Sequence, residues 1–201
     1  MKPRELLASA RIPGGGEMKL YRRGGDHMIL VDRDELMSTR MSGSEEALAL
    51  MTAQRLGDRP AQRWLIGGYG MGFTLRAALG VVPSDARLTV AELVPEIVDW
   101  ARGPMTAMTG ASLDDPRATI RIADVADMIS EGSWDAILLD VDNGPDGLVR
   151  AANDRLYSAA GLAAARAALN RDGILAIWSA APDATFARRL AAAGFRVEEQ
   201  S

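Results

Sequence analysis

Three observations predict an α/β fold built on a doubly wound, mainly parallel sheet. From Gly57-Asp58-Arg59-Pro60 onward, strand-like runs alternate with helix-like segments, the pattern of strands joined by crossover helices. The runs are short and continuously apolar, as in strands covered on both faces. A glycine cluster follows the first of them, in RWLIGGYGMG at residues 63–72, and acidic residues stand at the ends of the next ones. In such sheets ligands bind beyond the carboxyl ends of the strands, at the topological switch point.

In chain order, residues 1–42 form an N-terminal extension. Its text GEMKLYRRGGDHMILVDRDELMSTR reads as a small β-hairpin about Arg23-Gly24-Gly25-Asp26, where glycines admit the positive φ of a tight turn. Ser42-Gly43-Ser44-Glu45-Glu46 opens a helix to about Leu56. Ser44 is its expected N-cap, and the two glutamates suit the helix dipole. Residues 43–201 form the main domain. Its expected strands are Arg63–Ile66, Arg87–Ala91, Thr119–Ile122, Asp135–Leu139, Ile174–Trp178 and a last one, Phe195–Glu199. Its expected helices are Phe73–Leu79, Pro95–Ala101, Val125–Ile129, Arg155–Leu169 and Ala184–Ala192.

Composition narrows the function. The chain has 201 residues, 48 % apolar and 25 % charged, enough for one full core. A net charge of −4 and a pI near 5.1 argue against a nucleic-acid partner, which calls for a basic face. Cysteine is absent and His27 is the one histidine; thiolate nucleophiles, disulfides and histidine-rich metal sites are thereby excluded, and no metal is expected. The apolar stretch near the N-terminus is too short for a signal peptide, and no run reaches the roughly 18 residues of a membrane span. A cytoplasmic protein without membrane association is the expectation.

Gly67, Gly68, Gly70 and Gly72 depart from the G-x-G-x-x-G of dinucleotide folds. Glycine loses more entropy on folding than other residues, so this concentration implies a tight turn or a ligand that approaches the backbone closely. Glu92 ends the next strand, where Rossmann-type folds place the carboxylate that accepts from ribose hydroxyls. Asp124 ends the third strand, and Asp140 and Asp142 end the fourth, in ILLDVDNGPDG. Carboxylates at all these ends suit a sulfonium nucleoside: S-adenosylmethionine presents ribose hydroxyls, an adenine amino group and a cationic sulfur. Leu93 and Val125, beside Glu92 and Asp124, join the candidate cofactor contacts. Tyr69 either lays its ring on the cofactor or packs the loop, and Asp124 could equally cap the helix that follows it. Turn chemistry accounts for Asn143 to Gly147 but not for Asp140, which emerges from an apolar strand. His27 and the four tryptophans read as turn, edge and packing residues.

These motifs, in this order, resemble the spermidine synthases, polyamine aminopropyltransferases on the class I methyltransferase, Rossmann-like fold. The likeness runs through nearly the whole chain: LIGGYGMG against a GGGDGG loop, VAELVPEIVDWAR, LDDPRATIRIAD with its Asp115-Pro116-Arg117, and ILLDVDNGP against a DSSDP-type motif. The resemblance implies that Gly68 and Gly70 line S-adenosylmethionine or its decarboxylated form, that Glu92 holds the ribose, that Asp124 meets the adenine, and that Asp140 is catalytic. It implies a small amine acceptor, methylthioadenosine as product (S-adenosylhomocysteine for methyl transfer), and a homodimer. The departures lie on the amine side. Gly70 stands where the family has an aspartate, Asn143 where it has the second aspartate of its motif, Leu36 at a cofactor-contacting glutamine, and Glu45 and Glu46 at a Tyr-Gln or Tyr-His pair. Glu45, Glu46, Asp142 and Asn143 are the candidate substrate contacts. Small-molecule methyl transfer and a non-catalytic nucleoside-binding relative are the alternatives. A class I sheet normally closes with one more antiparallel strand, so an edge covered by a neighbouring chain or a rearranged segment is expected.

Overall fold

Gly24 and Gly25 turn the chain back on itself, and the strands they join, β2 (Glu17–Arg23) and β3 (Asp26–Val31), pair antiparallel with Arg23 opposite Asp26. In the computed structural model, which describes residues 3–13, 15–40, 42–139, 154–178 and 183–200, this hairpin is the centre of a larger sheet. β1 (Glu5–Arg11) and β4 (Asp34–Ser38) flank it in the order β1-β2-β3-β4. The expected hairpin is thus corrected to a four-stranded antiparallel sheet. One face carries Leu20 opposite Ile29, both fully buried, and that alternation fixes the register, since a one-residue slip would turn both to solvent.

Helix α1 (Gly43–Leu56) follows. Its N-cap is Ser42, not Ser44, with Glu46 N bonded to the Ser42 carbonyl at 3.1 Å. Then come β5 (Arg63–Gly67), α2 (Phe73–Leu79), β6 (Arg87–Glu92), α3 (Pro95–Arg102), α4 (Thr106–Leu113), β7 (Ala118–Ile122), α5 (Val125–Ser130), β8 (Trp134–Leu139), α6 (Ala159–Ala168), β9 (Leu169–Ile177) and α7 (Ala184–Ala192). The five later strands form a sheet in the order β7-β6-β5-β8-β9, with every pair parallel. The order reverses at β5, so β5 and β8 flank the switch point where ligands of doubly wound sheets bind. Within β5, Trp64, Leu65 and Ile66 are all buried, as the continuous apolar run required.

Three details depart from expectation. Phe195–Glu199 is not a strand: Phe195 packs on the second apolar cluster and Arg55 pairs with Glu198 at 2.9 Å, tying this segment to α1. The expected Arg155–Leu169 helix is shortened to α6, because Ser158 caps it by accepting from Gly161 N at 3.1 Å and Leu169 already belongs to β9. Helix α4 was not foreseen. It rests on hydroxyl bonds rather than periodicity: Thr109 donates to the Ala101 carbonyl at 2.6 Å and Ser112 to that of Thr109 at 2.7 Å.

One apolar cluster joins the two sheets, with Met18, Leu20 and Ile29 of the first packed in common with Trp64, Ile66 and Leu138 of the second. The antiparallel sheet is therefore held against the carboxyl-end region of the parallel one by buried area rather than by a linker.

Candidate functional site

The turn from β5 into α2 has to pass close to β6, and glycine makes that possible. Gly68, Gly70 and Gly72 have φ of 82°, 54° and 73°, the left-handed region. Gly68 N donates to the Ala91 carbonyl at 2.8 Å, which draws the loop onto β6. Gly67 does a different job: a methyl at its Cα would stand 3.1 Å from both Leu139 Cδ2 and Val125 Cγ2. Gly67 and Val125, both expected beside a ligand, thus meet each other in the packing of β5 on α5 and β8.

Glu92 is the anchor of the loop. It is 7 % exposed, with one carboxylate oxygen accepting from Tyr69 N and the other from Val94 N, each at 2.8 Å. Burial pushes its carboxyl above the ordinary carboxylate value, and the N–H groups of Val94 and Tyr69 pull it back. The N–H groups of Leu93 and Gly70 also face this carboxylate, and a ligand hydroxyl that reaches it would add to those bonds. Leu93 beside it is exposed, an apolar surface next to a fixed acceptor. The Tyr69 ring is buried beneath its own loop, where a methyl on Gly72 would lie 2.7 Å from the hydroxyl. It packs the loop.

Gly68, Gly70, Glu92 and Leu93 form one side of a cavity of about 160 Å³; the antiparallel sheet forms the other, through residues that include Ile29, Val31, Leu36 and Met37. Glu45 lines it as well. Glu46 does not: its carboxylate takes the Arg76 guanidinium at 2.9 Å. The two adjacent glutamates are thus split between the cavity and the α1–α2 contact. The Met37 thioether fills the space above Gly70, where an added Cβ would be 2.8 Å from its Cε.

Asp124 lies apart from this cavity. Its side chain caps α5 by accepting from Ala126 N at 2.9 Å, and its other oxygen pairs with Arg155. Asp140, Asp142 and Asn143 fall outside the described residues; β8, which precedes them in sequence, ends with Leu139 paired to Gly67. Asp115 and Arg117 form a clamp rather than a ligand contact. Arg117 donates to Asp115 at 2.8 Å and to the Leu79 carbonyl at 2.9 Å, joining the entry to β7 to the end of α2. Among the described residues no cluster of three or more acidic or histidine side chains could hold a metal, and no helix is long and apolar enough to cross a membrane.

The cavity's apolar wall was not foreseen as functional, because Val31, Leu36 and Met37 read as ordinary strand residues. The one signal pointing there is Leu36, at a position where the resembled family has a polar residue.

No family model and no curated protein sequence matches the chain. Solved structures do. A spermidine synthase in complex with the transition-state analogue AdoDATO aligns with a TM-score of 0.76 at 22 % identity over 94 % of this chain and 64 % of that one. The spermidine synthase from Thermotoga maritima aligns at 0.74 with 21 % identity over the same shares. A probable spermidine synthase from Corynebacterium glutamicum ATCC 13032 aligns at 0.63 with 15 % identity, covering 88 % of this chain and 64 % of that one. The chain therefore has a spermidine synthase-like, class I methyltransferase-like fold, and spans 64 % of the length of each of these structures.

Proposed function

We propose that the protein is a transferase of the spermidine synthase type, which binds S-adenosylmethionine or its decarboxylated form and transfers an aminopropyl group to a small amine. The observation that carries this reading is Glu92, a buried acceptor fixed by the N–H groups of Tyr69 and Val94 beside a loop whose glycines leave the backbone bare. That constellation fits a ribose better than a pyrophosphate, which would need N–H donors rather than a carboxylate. Asp124 does not carry this reading, since its two oxygens are engaged by Ala126 N and Arg155.

The sulfonium supplies a carbon open to nucleophilic attack and a leaving group that departs neutral. With the sulfonium bound, the acceptor nitrogen would bond to that carbon as the carbon–sulfur bond breaks, its electron pair going to sulfur. Asp140 orients the amine and takes the proton that the nitrogen loses. A second reading, small-molecule methyl transfer, is favoured by one observation: Met37 rather than a carboxylate lies over Gly70, so the loop offers nothing that would repel the carboxylate of the intact cofactor.

Mass spectrometry after incubation with decarboxylated S-adenosylmethionine and an amine separates the two. An acceptor heavier by one aminopropyl group, with turnover reduced at least about a hundredfold in Asp140→Asn, is expected from the range that general acid–base groups contribute. Methylation from the intact cofactor alone would sink the aminopropyl reading, and full turnover in Asp140→Asn would remove that residue from the chemistry.

A further inference from the structure

Glu45 stands in the first turn of α1 and lines the same cavity as Gly68, Gly70 and Glu92, together with the apolar Leu36 and Met37. Among the described residues its carboxylate takes one hydrogen bond, from Ser44 Oγ at 3.0 Å, and no cation pairs with it. The acidic groups nearest to it in role are already engaged. Glu46 holds the Arg76 guanidinium at 2.9 Å, and Glu92 accepts from the N–H groups of Tyr69 and Val94. A carboxylate set among apolar side chains with so few partners favours a cationic guest.

Size brings such a guest close. The cavity measures about 160 Å³; a sphere of that volume is roughly 7 Å across, a span over which opposite charges in partly buried surroundings attract by at least about tenfold in affinity. In the transferase reading Glu92 holds the ribose, and the sulfur, one carbon removed from the ribose ring, then falls within that span. Resting on that reading, we propose that Glu45 recognises the charge on the sulfonium, so that the site holds the cationic cofactor more tightly than the neutral thioether left after transfer. Glu45 loses its partner when the sulfur becomes neutral, which favours release of the spent nucleoside. The preference concerns the sulfur alone and is the same whichever group is transferred.

Titration calorimetry on the full chain tests this with two ligands that differ only at sulfur: methylthioadenosine and its S-methylated sulfonium, 5′-dimethylsulfonio-5′-deoxyadenosine. The native protein is expected to bind the sulfonium at least about tenfold more tightly. Equal affinity, or a preference for the thioether, overturns the inference while leaving the nucleoside site intact. In Glu45→Gln the sulfonium-to-thioether ratio is expected to fall about tenfold. In Glu46→Gln, which removes a carboxylate spent on Arg76, the ratio is expected to stay within about twofold of the native one. Charge elsewhere around the cavity is common to all three proteins and cancels in this comparison. A ratio unchanged in Glu45→Gln, or lowered equally in Glu46→Gln, overturns the inference. Failure of the native chain to bind either ligand removes the transferase reading and this inference together.

Discussion

In the proposed transferase reading, Gly70 is the residue on which the choice of cofactor would turn. Its φ of 54° is a conformation that aspartate tolerates better than most residues, at a cost of about 1 kcal/mol. The atoms an added side chain would meet are the Met37 Cε and Sδ, the far end of a flexible chain. Gly70→Asp is therefore expected to fold and to raise the preference for decarboxylated over intact S-adenosylmethionine about tenfold through like-charge repulsion, read by calorimetry with both. Equal preference would place the cofactor's tail elsewhere. His27 offers a second test at this scale. Burial, followed by the nearby Arg22 charge, lowers its pKa below the ordinary value, so the folded state binds this proton less readily than the unfolded chain. Its contribution is present above the unfolded value of about 6.5 and is lost as pH falls through the folded one. Between about pH 7.5 and 5.5 the melting temperature should fall more for the native protein than for His27→Gln. Parallel profiles would contradict the burial argument.

Among the elements, the Asp115–Arg117 clamp shows how a motif can be legible while its role is not. The sequence offered it as a family likeness, and its geometry is that of a brace between α2 and β7. Arg117→Ala frees the Leu79 carbonyl and breaks a partly buried ion pair, which should cost about 2 kcal/mol in chemical denaturation without changing nucleoside affinity. An unaltered midpoint would show the clamp to be idle. The core strands were readable because short, continuously apolar runs bounded by turn residues suit a strand covered on both faces. Helices Phe73–Leu79 and Ala184–Ala192 emerged with the expected bounds. Helix α4 escaped because its threonine, glycine and serine lack helical propensity and its stability comes from hydroxyl bonds to its own backbone and that of α3. β9 escaped in part because Asn170-Arg171-Asp172-Gly173 carries turn residues. The chain continues the strand there through an irregularity in its pairing with β8, at Trp134 to Ala136.

Across the whole molecule, the site is a product of two sheets. Sequence reasoning pointed to residues of the parallel half that line the cavity, Gly68, Gly70 and Glu92, because they stand at strand ends where the fold class places ligands. It could not find the antiparallel half, because which face of a four-stranded sheet meets the loop is decided by burial of Leu20 and Ile29 rather than by any polar motif. It likewise could not divide Glu45 from Glu46, which differ only in the direction they leave α1. The common claim beneath these readings is that Glu92 and the Gly68–Gly72 loop hold an adenosyl sulfur compound. Titration calorimetry of methylthioadenosine against the native chain and Glu92→Gln tests it most directly. Saturable one-to-one binding, weakened at least about tenfold by loss of a charged acceptor, is the result this account predicts; no binding by the native chain, or equal affinity in the variant, would contradict it.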